Sequence, residues 1–324
     1  MRGMIVAAGL GTRLRPLTDL CPKPALPIRG IPLIAYALGL LESAGVSEVI
    51  INVHHRADQL IATAERWCPP SISLQFSRER ELLHTGGGIR RVAGFLRESD
   101  PCLILGGDMI LDLDLAALVA RHRSSGRAAT LLLRDDRRAD LFGTLGLDAA
   151  GRLRRVADRF DLGGETRAGV YTWLNVVSPQ AFDSMPDRKV FNHLDDWLAP
   201  RAALEGDVGA EIGPGKPVGP LTWIPVGTPA EYLEANFTPF RLRHVRLADT
   251  ATTRAATISD ERIVGSGARI PSDCQLQRVV VWEDEAVPEG FRGRDGVFAG
   301  GGFHAFAPES QEPGGAGLGE GGRV

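Results

Sequence analysis

Between Met4 and Pro24 the chain changes character once, and that change limits what the rest can become. Met4-Ile-Val-Ala-Ala8 is a short apolar run that stops at Gly9 and gives way to a glycine-broken basic loop, Leu10-Gly-Thr-Arg-Leu-Arg-Pro-Leu-Thr18, closed by Pro22-Lys23-Pro24. The run is too short for a helix and too apolar for a sheet edge, so it reads as a strand buried on both faces of a parallel sheet. Gly9 and Gly11 have no side chain to hold an anion off the backbone, and they permit the positive φ that turns several N–H groups toward one point. Arg13 adds a fork of donors. Lys23, stiffened between two prolines, adds a point charge at fixed reach. The stretch is therefore an anion cradle at a strand end, with Ala8, Gly9, Gly11, Thr12, Arg13 and Lys23 as its candidate phosphate- and nucleotide-binding residues.

Two familiar phosphate loops are excluded. The dinucleotide fingerprint needs a third glycine with a helix beginning at once, whereas Leu14-Arg15-Pro16 follows here; the P-loop needs Gly-Lys-Ser/Thr, which is absent. A nicotinamide-dependent oxidoreductase is thereby disfavoured. The formal net charge of -3 gives no global pull toward nucleic acid or an anionic membrane, so any phosphate binding must be local. No apolar run approaches the roughly 20 residues of a membrane span, and the first strand begins without a signal-peptide region, so the expectation is a cytoplasmic protein. Cys21, Cys68, Cys102 and Cys274 are scattered, without the spacing of a zinc site or a disulfide framework.

Strand and helix patterns alternate after the loop. A helix is expected over 33–44 behind Pro32, a strand over 48–53, a helix over 58–67, a strand over 73–77 and a helix over 88–97. This is the order of an α/β, doubly wound, mostly parallel sheet of Rossmann-like type, whose ligands gather at the strand C-terminal ends. The turn His84-Thr85-Gly86-Gly87-Gly88 is a second place where backbone can approach a ligand, since three glycines are costly unless something needs the room. Cys102-Leu-Ile-Leu-Gly-Gly-Asp108 repeats the first strand's logic and ends in a carboxylate, a natural Mg²⁺ ligand beside a phosphate cradle. Asp112 is near; Asp114, before Leu-Ala-Ala-Leu-Val-Ala, reads as a helix N-cap. Phe142 to Leu153 has the form of a hairpin turning on Asp148-x-x-Gly151. Thr228, Pro229 and Glu231 form a capping box with proline at the first helical position. Beyond residue 240 apolar residues recur every six positions, at Ile258, Val264, Ile270 and Leu276, and resume at Val281 and Val287 after a one-residue slip, the mark of a left-handed parallel β-helix of about two turns. So short a module must lean on the first domain or on another subunit.

Gly9-x-Gly11-Thr12-Arg13-x-x-Pro16-x-Thr18 with Pro22-Lys23-Pro24 resembles the signature of the sugar-1-phosphate nucleotidyltransferases. Thr85-Gly-Gly-Gly-Ile89 is most similar to the N-acetylmuramate-1-phosphate uridylyltransferase and mannose-1-phosphate members, and Val279 to Gly290 is similar to the β-helix of mannose-1-phosphate guanylyltransferases. The resemblance implies a nucleotidyltransferase domain over 1–240; the six-residue recurrence gives a left-handed β-helix-like module over 241–308, and the Gly-, Glu- and Pro-rich composition of 309–324 gives a disordered tail. It implies transfer of a nucleotidyl group from an NTP, UTP or GTP, to a sugar 1-phosphate. Arg13 and Lys23 become catalytic cations, Thr85, Gly86 and Gly87 contacts to the nucleotide, Asp108 the Mg²⁺ ligand, and Gly143, Asn175 and Arg159 sugar-site residues. It also suggests a homo-oligomer through the C-terminal module. Three departures stand out. No lysine follows the hairpin, so Arg159 is the stand-in for one that reaches the sugar phosphate. Ala168 to Pro179 can be aligned in two registers, one of which puts Trp173 where relatives have a small residue and narrows the pocket. Pro225 occupies the place of a second metal-binding aspartate in Leu221-Thr-Trp-Ile-Pro-Val-Gly-Thr-Pro-Ala-Glu231. The alternative is a sugar-nucleotide-binding regulatory homologue that has lost turnover.

Overall fold

The computed structural model describes residues 1–213, 220–247 and 256–306. The tail over 309–324, expected to be disordered, lies outside them. Among the described residues a ten-stranded sheet forms the centre. In chain order its framework is β1 (Arg2–Val6), α1 (Leu33–Ser43), β2 (Glu48–Val53), α2 (Ala57–Arg66), β3 (Ser73–Arg78), α3 (His84–Arg91), β4 (Cys102–Gly106), β5 (Met109–Asp112) and α4 (Leu115–Ser125). There follow β6 (Ala129–Arg134), β7 (Leu145–Leu147), β8 (Leu153–Val156), β9 (Phe160–Asp161), β10 (Arg167–Val177), β11 (Val208–Gly213), β12 (Thr222–Pro225) and α5 (Pro229–Phe237). The sheet runs β9-β8-β7-β10-β4-β1-β2-β3, with β6 and β11 continuing from β10. β4, β1, β2 and β3 are mutually parallel, and β10 is antiparallel to β4. Met4, Ile5, Val49, Ile51, Leu103 and Leu105 are fully or almost fully buried, as expected for strands covered on both faces. No helix among the described residues is long and apolar enough to cross a membrane.

The helix expected over 33–44 ends at Ser43, and Pro32 stands just before it in extended backbone rather than as its first residue. The helix expected over 88–97 is instead two, His84–Arg91 and Ala93–Arg97, and the first takes in all three glycines. The hairpin turns as expected: β7 and β8 pair antiparallel around Gly151, whose φ of 77° favours glycine, and the Gly151 N–H donates to the Asp148 carbonyl. Asp114 caps α4 by accepting from the Ala117 N–H at 2.9 Å. In α5 the Thr228 hydroxyl oxygen accepts the Glu231 N–H at 3.2 Å, and the Glu231 carboxylate reaches back to the Gly227 N–H at 2.6 Å. Asp112 is not a site residue. It is buried, and its carboxylate accepts the N–H groups of Arg243, His244 and Val245 at 2.7–2.9 Å, tying down the segment that leaves the sheet domain.

The C-terminal module is a five-stranded sheet, β13 (Thr257–Ile258), β14 (Arg262–Val264), β15 (Gln275–Val281), β16 (Arg292–Ala299) and β17 (Gly302–Ala305). β14, β15 and β16 stack in parallel, flanked by antiparallel β13 and β17. Ile263 pairs with Val280 and Val280 with Val297, a repeat of 17 residues. Positive-φ corners fall at the same interval, at Gly267, Asp284 and Gly301 and again at Arg278 and Asp295. The two faces of the stack have different partners. Leu276, Val279, Val281, Val287 and Phe298 form the module's own small core. Ile263, Val280 and Val297 point the other way and join the main core of the sheet domain. The Trp282 indole N–H donates to the Tyr232 hydroxyl on α5 at 2.9 Å, so the expected support comes from within the same chain. Ile258, expected inside the coil, is exposed instead, because β13 is a two-residue antiparallel edge rather than part of the stack.

Candidate active site

The cradle sits where β1 ends. The Gly11 φ of 65° lets Leu10 to Leu14 fold into one turn, fastened by Leu14 N–H to the Gly11 carbonyl and by the buried Thr18 hydroxyl to that same carbonyl, both at 2.9 Å. A Cβ on Gly11 would lie 2.8 Å from Thr18, whereas a Cβ on Gly9 would meet nothing within 4 Å. Gly11 is thus glycine for the loop's own fold, and Gly9 borders open space. Among the described residues the N–H groups of Gly9, Leu10 and Gly11 make no hydrogen bond. Thr12 and Arg13 are exposed and Ala8 is buried at the loop's root. The root is fixed from below by a buried polar chain: the Ala7 N–H donates to Asn52 Oδ1 at 2.7 Å, Asn52 Nδ2 to Glu79 at 2.8 Å, and Glu79 accepts the Leu83 N–H at 3.3 Å.

Two of the expected charged groups meet directly. Lys23 Nζ lies 2.7 Å from Asp108 Oδ2, with the lysine mostly buried and the carboxylate about half-open to solvent. Gly106 and Gly107 make that approach possible: a Cβ at Gly106 would lie 3.0 Å from Asp108 Oδ1, and one at Gly107 3.0 Å from Ile5. Asp108 is also held by its carbonyl, which accepts the Val226 N–H at 3.2 Å. The Arg13 guanidinium approaches the next residue, where a Cβ on Gly227 would be 3.4 Å from its Nη2. Lys23 and Asp108 therefore meet at the end of β4, and Arg13 stands against Gly227, next to the Val226 that bonds the Asp108 carbonyl.

Pro225 closes β12 opposite Met109, one residue from Asp108. Its position fits a metal-site neighbour, but its chemistry does not, because proline offers no side-chain donor atom. No group of three or more His, Cys, Asp or Glu side chains that would cage a metal occurs among the described residues. A Mg²⁺ ion here fits only as one held by a single carboxylate, Asp108, with substrate phosphate oxygens and water filling its other positions, a pattern Mg²⁺ tolerates better than most cations.

The other residues expected at the site are engaged within the chain. Gly86 and Gly87 are not a bare loop. They lie buried in α3, their N–H groups donate to the Phe191 carbonyl at 2.9 and 3.3 Å, and a Cβ on either would strike the Phe191 ring at 2.3 Å or the Lys189 carbonyl at 2.1 Å. The room the glycines provide is taken by the chain's own 189–191 segment. Thr85 is likewise engaged: its hydroxyl bonds His193 Nδ1 at 2.8 Å and accepts the His193 N–H at 3.1 Å. Asn175 is 2% exposed, and its side chain accepts from the Tyr171 hydroxyl at 2.7 Å and donates to the Ile104 carbonyl at 3.3 Å, which leaves it no face toward a sugar. Arg159 is paired with Asp195 at 3.0 Å. Gly143 ends a short helix over 139–142 with φ 74° and ψ 166°, a conformation that by itself calls for glycine.

Trp173, which one alignment register places in the pocket, stands at the end of β4, where a Cβ on Gly106 would lie 3.4 Å from the Trp173 Cβ and 3.0 Å from Asp108 Oδ1. Trp173 stacks on His193 with ring centroids 4.6 Å apart and on Tyr171 at 5.6 Å. Burial lowers the His193 pKa to about 3, so the ring is neutral at ordinary pH. The bonding agrees. The Tyr171 hydroxyl donates to Asn175, so the 3.1 Å contact to His193 Nε2 must be donated by the histidine, and Nδ1 is then left to accept from Thr85.

Comparison with known proteins bears on this geometry. Residues 2–238 match the family model described as nucleotidyl transferase. A mannose-1-phosphate guanylyltransferase of Mycobacterium tuberculosis is 28% identical over 305 residues, covering 89% of this chain and 81% of its own. A UTP–glucose-1-phosphate uridylyltransferase of Synechocystis is 25% identical over 247 residues, covering 72% of this chain and 62% of its own. Among solved structures, HddC from Yersinia pseudotuberculosis superimposes with a TM-score of 0.59 at 23% identity, covering 72% of this chain and 97% of that one, and so supports the fold.

Proposed function

The chain belongs to the nucleotidyl transferase family, and from that membership we propose that it transfers a nucleotidyl group from GTP or UTP to a sugar 1-phosphate, releasing pyrophosphate. It is an enzyme of the nucleotidyltransferase class. A phosphate oxygen of the sugar 1-phosphate attacks the α-phosphorus; the bond to the bridging oxygen of the β-phosphate breaks, and pyrophosphate leaves with that electron pair. No side-chain nucleophile is required, and catalysis is positioning plus charge neutralisation. The unpaired amides from Gly9 to Gly11 and the Arg13 guanidinium suit the β- and γ-phosphates. Lys23, aimed by its pairing with Asp108, suits the α-phosphate. Asp108 would hold Mg²⁺, which when bound would neutralise charge on the phosphate oxygens.

The observation that carries this reading is the 2.7 Å Lys23–Asp108 contact beside free amides and Arg13, since unlike charges and bare donors at one strand end have little structural reason to be left half-open to water. The test is pyrophosphate release with Mg²⁺ across the four common triphosphates paired with mannose-, glucose-, N-acetylglucosamine- and N-acetylmuramate-1-phosphate. Turnover of one base with one sugar is the expected result. Tight nucleotide-sugar binding without turnover for every pair would overturn catalysis in favour of the regulatory alternative that Pro225 raises.

A further inference from the structure

Trp173 is the bulkiest of the non-glycine residues in the described sheet domain that adopt a positive φ. Its φ is 61°, in the left-handed region that bulky side chains rarely enter. It lies where β10 breaks register between Tyr171 and Asn175, so the strand bulges to present this one side chain. Its Cβ stands at the end of β4: a Cβ on Gly106 would lie 3.4 Å from the Trp173 Cβ and 3.0 Å from Asp108 Oδ1. The indole is half-buried and backed by His193. That backing is itself immobilised by the chain of bonds from Thr85 through His193 and Tyr171 to Asn175 and the Ile104 carbonyl. Thr85 and Asn175, expected to touch nucleotide and sugar, are thus the two ends of a support beneath an aromatic plate.

We propose that Trp173 selects the acceptor, its indole forming the wall on which the apolar face of the sugar 1-phosphate's pyranose ring lies, beside Asp108. The inference rests on the nucleotidyltransferase reading above. Sheet order assigns the plate to the sugar rather than to the base. Asp108 follows β4; the phosphate cradle follows β1 on one side of it, with β2 and β3 beyond, whereas Trp173 belongs to β10 on the other side. A triphosphate laid along the cradle has its α-phosphate at Lys23 and Asp108, so the group across β4 is the attacking one. An indole face offers a ring apolar contact area without directional bonds, and a rigid plate discriminates by which ring substituents it lets lie flat.

The test compares wild type with Trp173→Phe and Trp173→Ala in steady-state assays, alongside calorimetric affinity for the triphosphate alone. The alanine variant is expected to raise acceptor KM by about 10-fold or more, the phenylalanine variant by less, and both to narrow the preference among sugar 1-phosphates, a scale set by loss of one apolar contact surface. Triphosphate affinity is expected to stay within about 2-fold. An unchanged acceptor KM would overturn the proposal, as would a comparable loss of triphosphate affinity, which would make Trp173 a base platform instead. If Trp173→Ala does not fold, Trp173→Phe decides. Should wild type turn over no pair, the reading beneath the proposal has failed, and direct calorimetric binding of sugar 1-phosphate then decides for Trp173 alone: weaker binding by Trp173→Phe supports the wall, and equal or absent binding in both proteins overturns it.

Discussion

The two sides of β4 are built by opposite means. On the β1 side the cradle is made of backbone: glycines, a left-handed turn at Gly11, and N–H groups of Gly9 to Gly11 that make no hydrogen bond among the described residues. On the β10 side it is made of side chains drawn from distant parts of the chain: Trp173 from a bulged strand, His193 from a loop, Thr85 from a helix. A triphosphate looks alike to any enzyme that uses one, so a backbone device serves it. An acceptor sugar differs from one enzyme to the next, and side chains are the adjustable part. The departure at Trp173 falls on the adjustable side.

The harshest way to break the comparison is to remove the charges at its centre. Lys23→Ala and Asp108→Ala are each expected to lower kcat/KM by about 100- to 1,000-fold, the usual cost of one preorganised electrostatic contact, as measured by pyrophosphate release. Equal activity in either variant would mean that the two sides do not meet at β4.

Two glycines sharpen it next. Gly87→Ala would drive a Cβ to 2.1 Å from the Lys189 carbonyl and is expected to cost about 1–3 kcal/mol in urea unfolding. Gly9→Ala meets nothing within 4 Å and is expected to leave stability within about 0.5 kcal/mol while weakening triphosphate binding. The reverse pattern would move the cradle from Gly9 to the 86–88 segment.

A smaller effect probes the metal. Pro225→Asp faces Met109 beside Asp108 and is expected to tighten Mn²⁺ binding in the presence of triphosphate by about 10-fold in a titration followed by electron paramagnetic resonance, within the range by which single groups tune metal sites. No change would place position 225 away from the ion.

The gentlest probe is pH. His193 is held neutral by burial with a pKa of about 3, and His122, buried against Thr130 and Ser178, with a pKa of about 4. The unfolded chain takes up these protons first, near pH 6.5, so stability is full above that value and falls as pH drops toward 4, by about 1.4 kcal/mol per pH unit for each histidine. His193→Gln is expected to remove about half of this slope in urea unfolding series at stepped pH. A slope unchanged by it would mean that the support beneath Trp173 is already charged or open to water.

What the sequence made legible divides along the same line. The cradle and the capping box could be read because each is local: Gly11 and Thr18, or Thr228 and Glu231, lie within a few residues, and their spacing records their geometry. Gly86 and Gly87 announced a need for room, but not that Phe191 and Lys189, about a hundred residues on, would take it. Asn175 looked like a polar residue on a ligand-facing strand, and only the fold reveals that Tyr171 and Ile104 consume its bonds. In the C-terminal module the three-valine run 279–281 carried a signal that went beyond the six-residue spacing. An apolar residue on both faces means two partners, and Val280 has the sheet domain as its second.

The 17-residue pitch of that module has a consequence for how its length can change. Gly267, Asp284 and Gly301 mark the same bend on successive laps, and Ile263, Val280 and Val297 hold the same wall against the sheet domain. Adding or deleting one residue between two bends would swing every later valine to a different wall and uncouple the docking row. Growth or shrinkage of this tail is therefore quantised, arriving by entire laps like links in a chain, while the loops of the sheet domain stay free to drift one residue at a time.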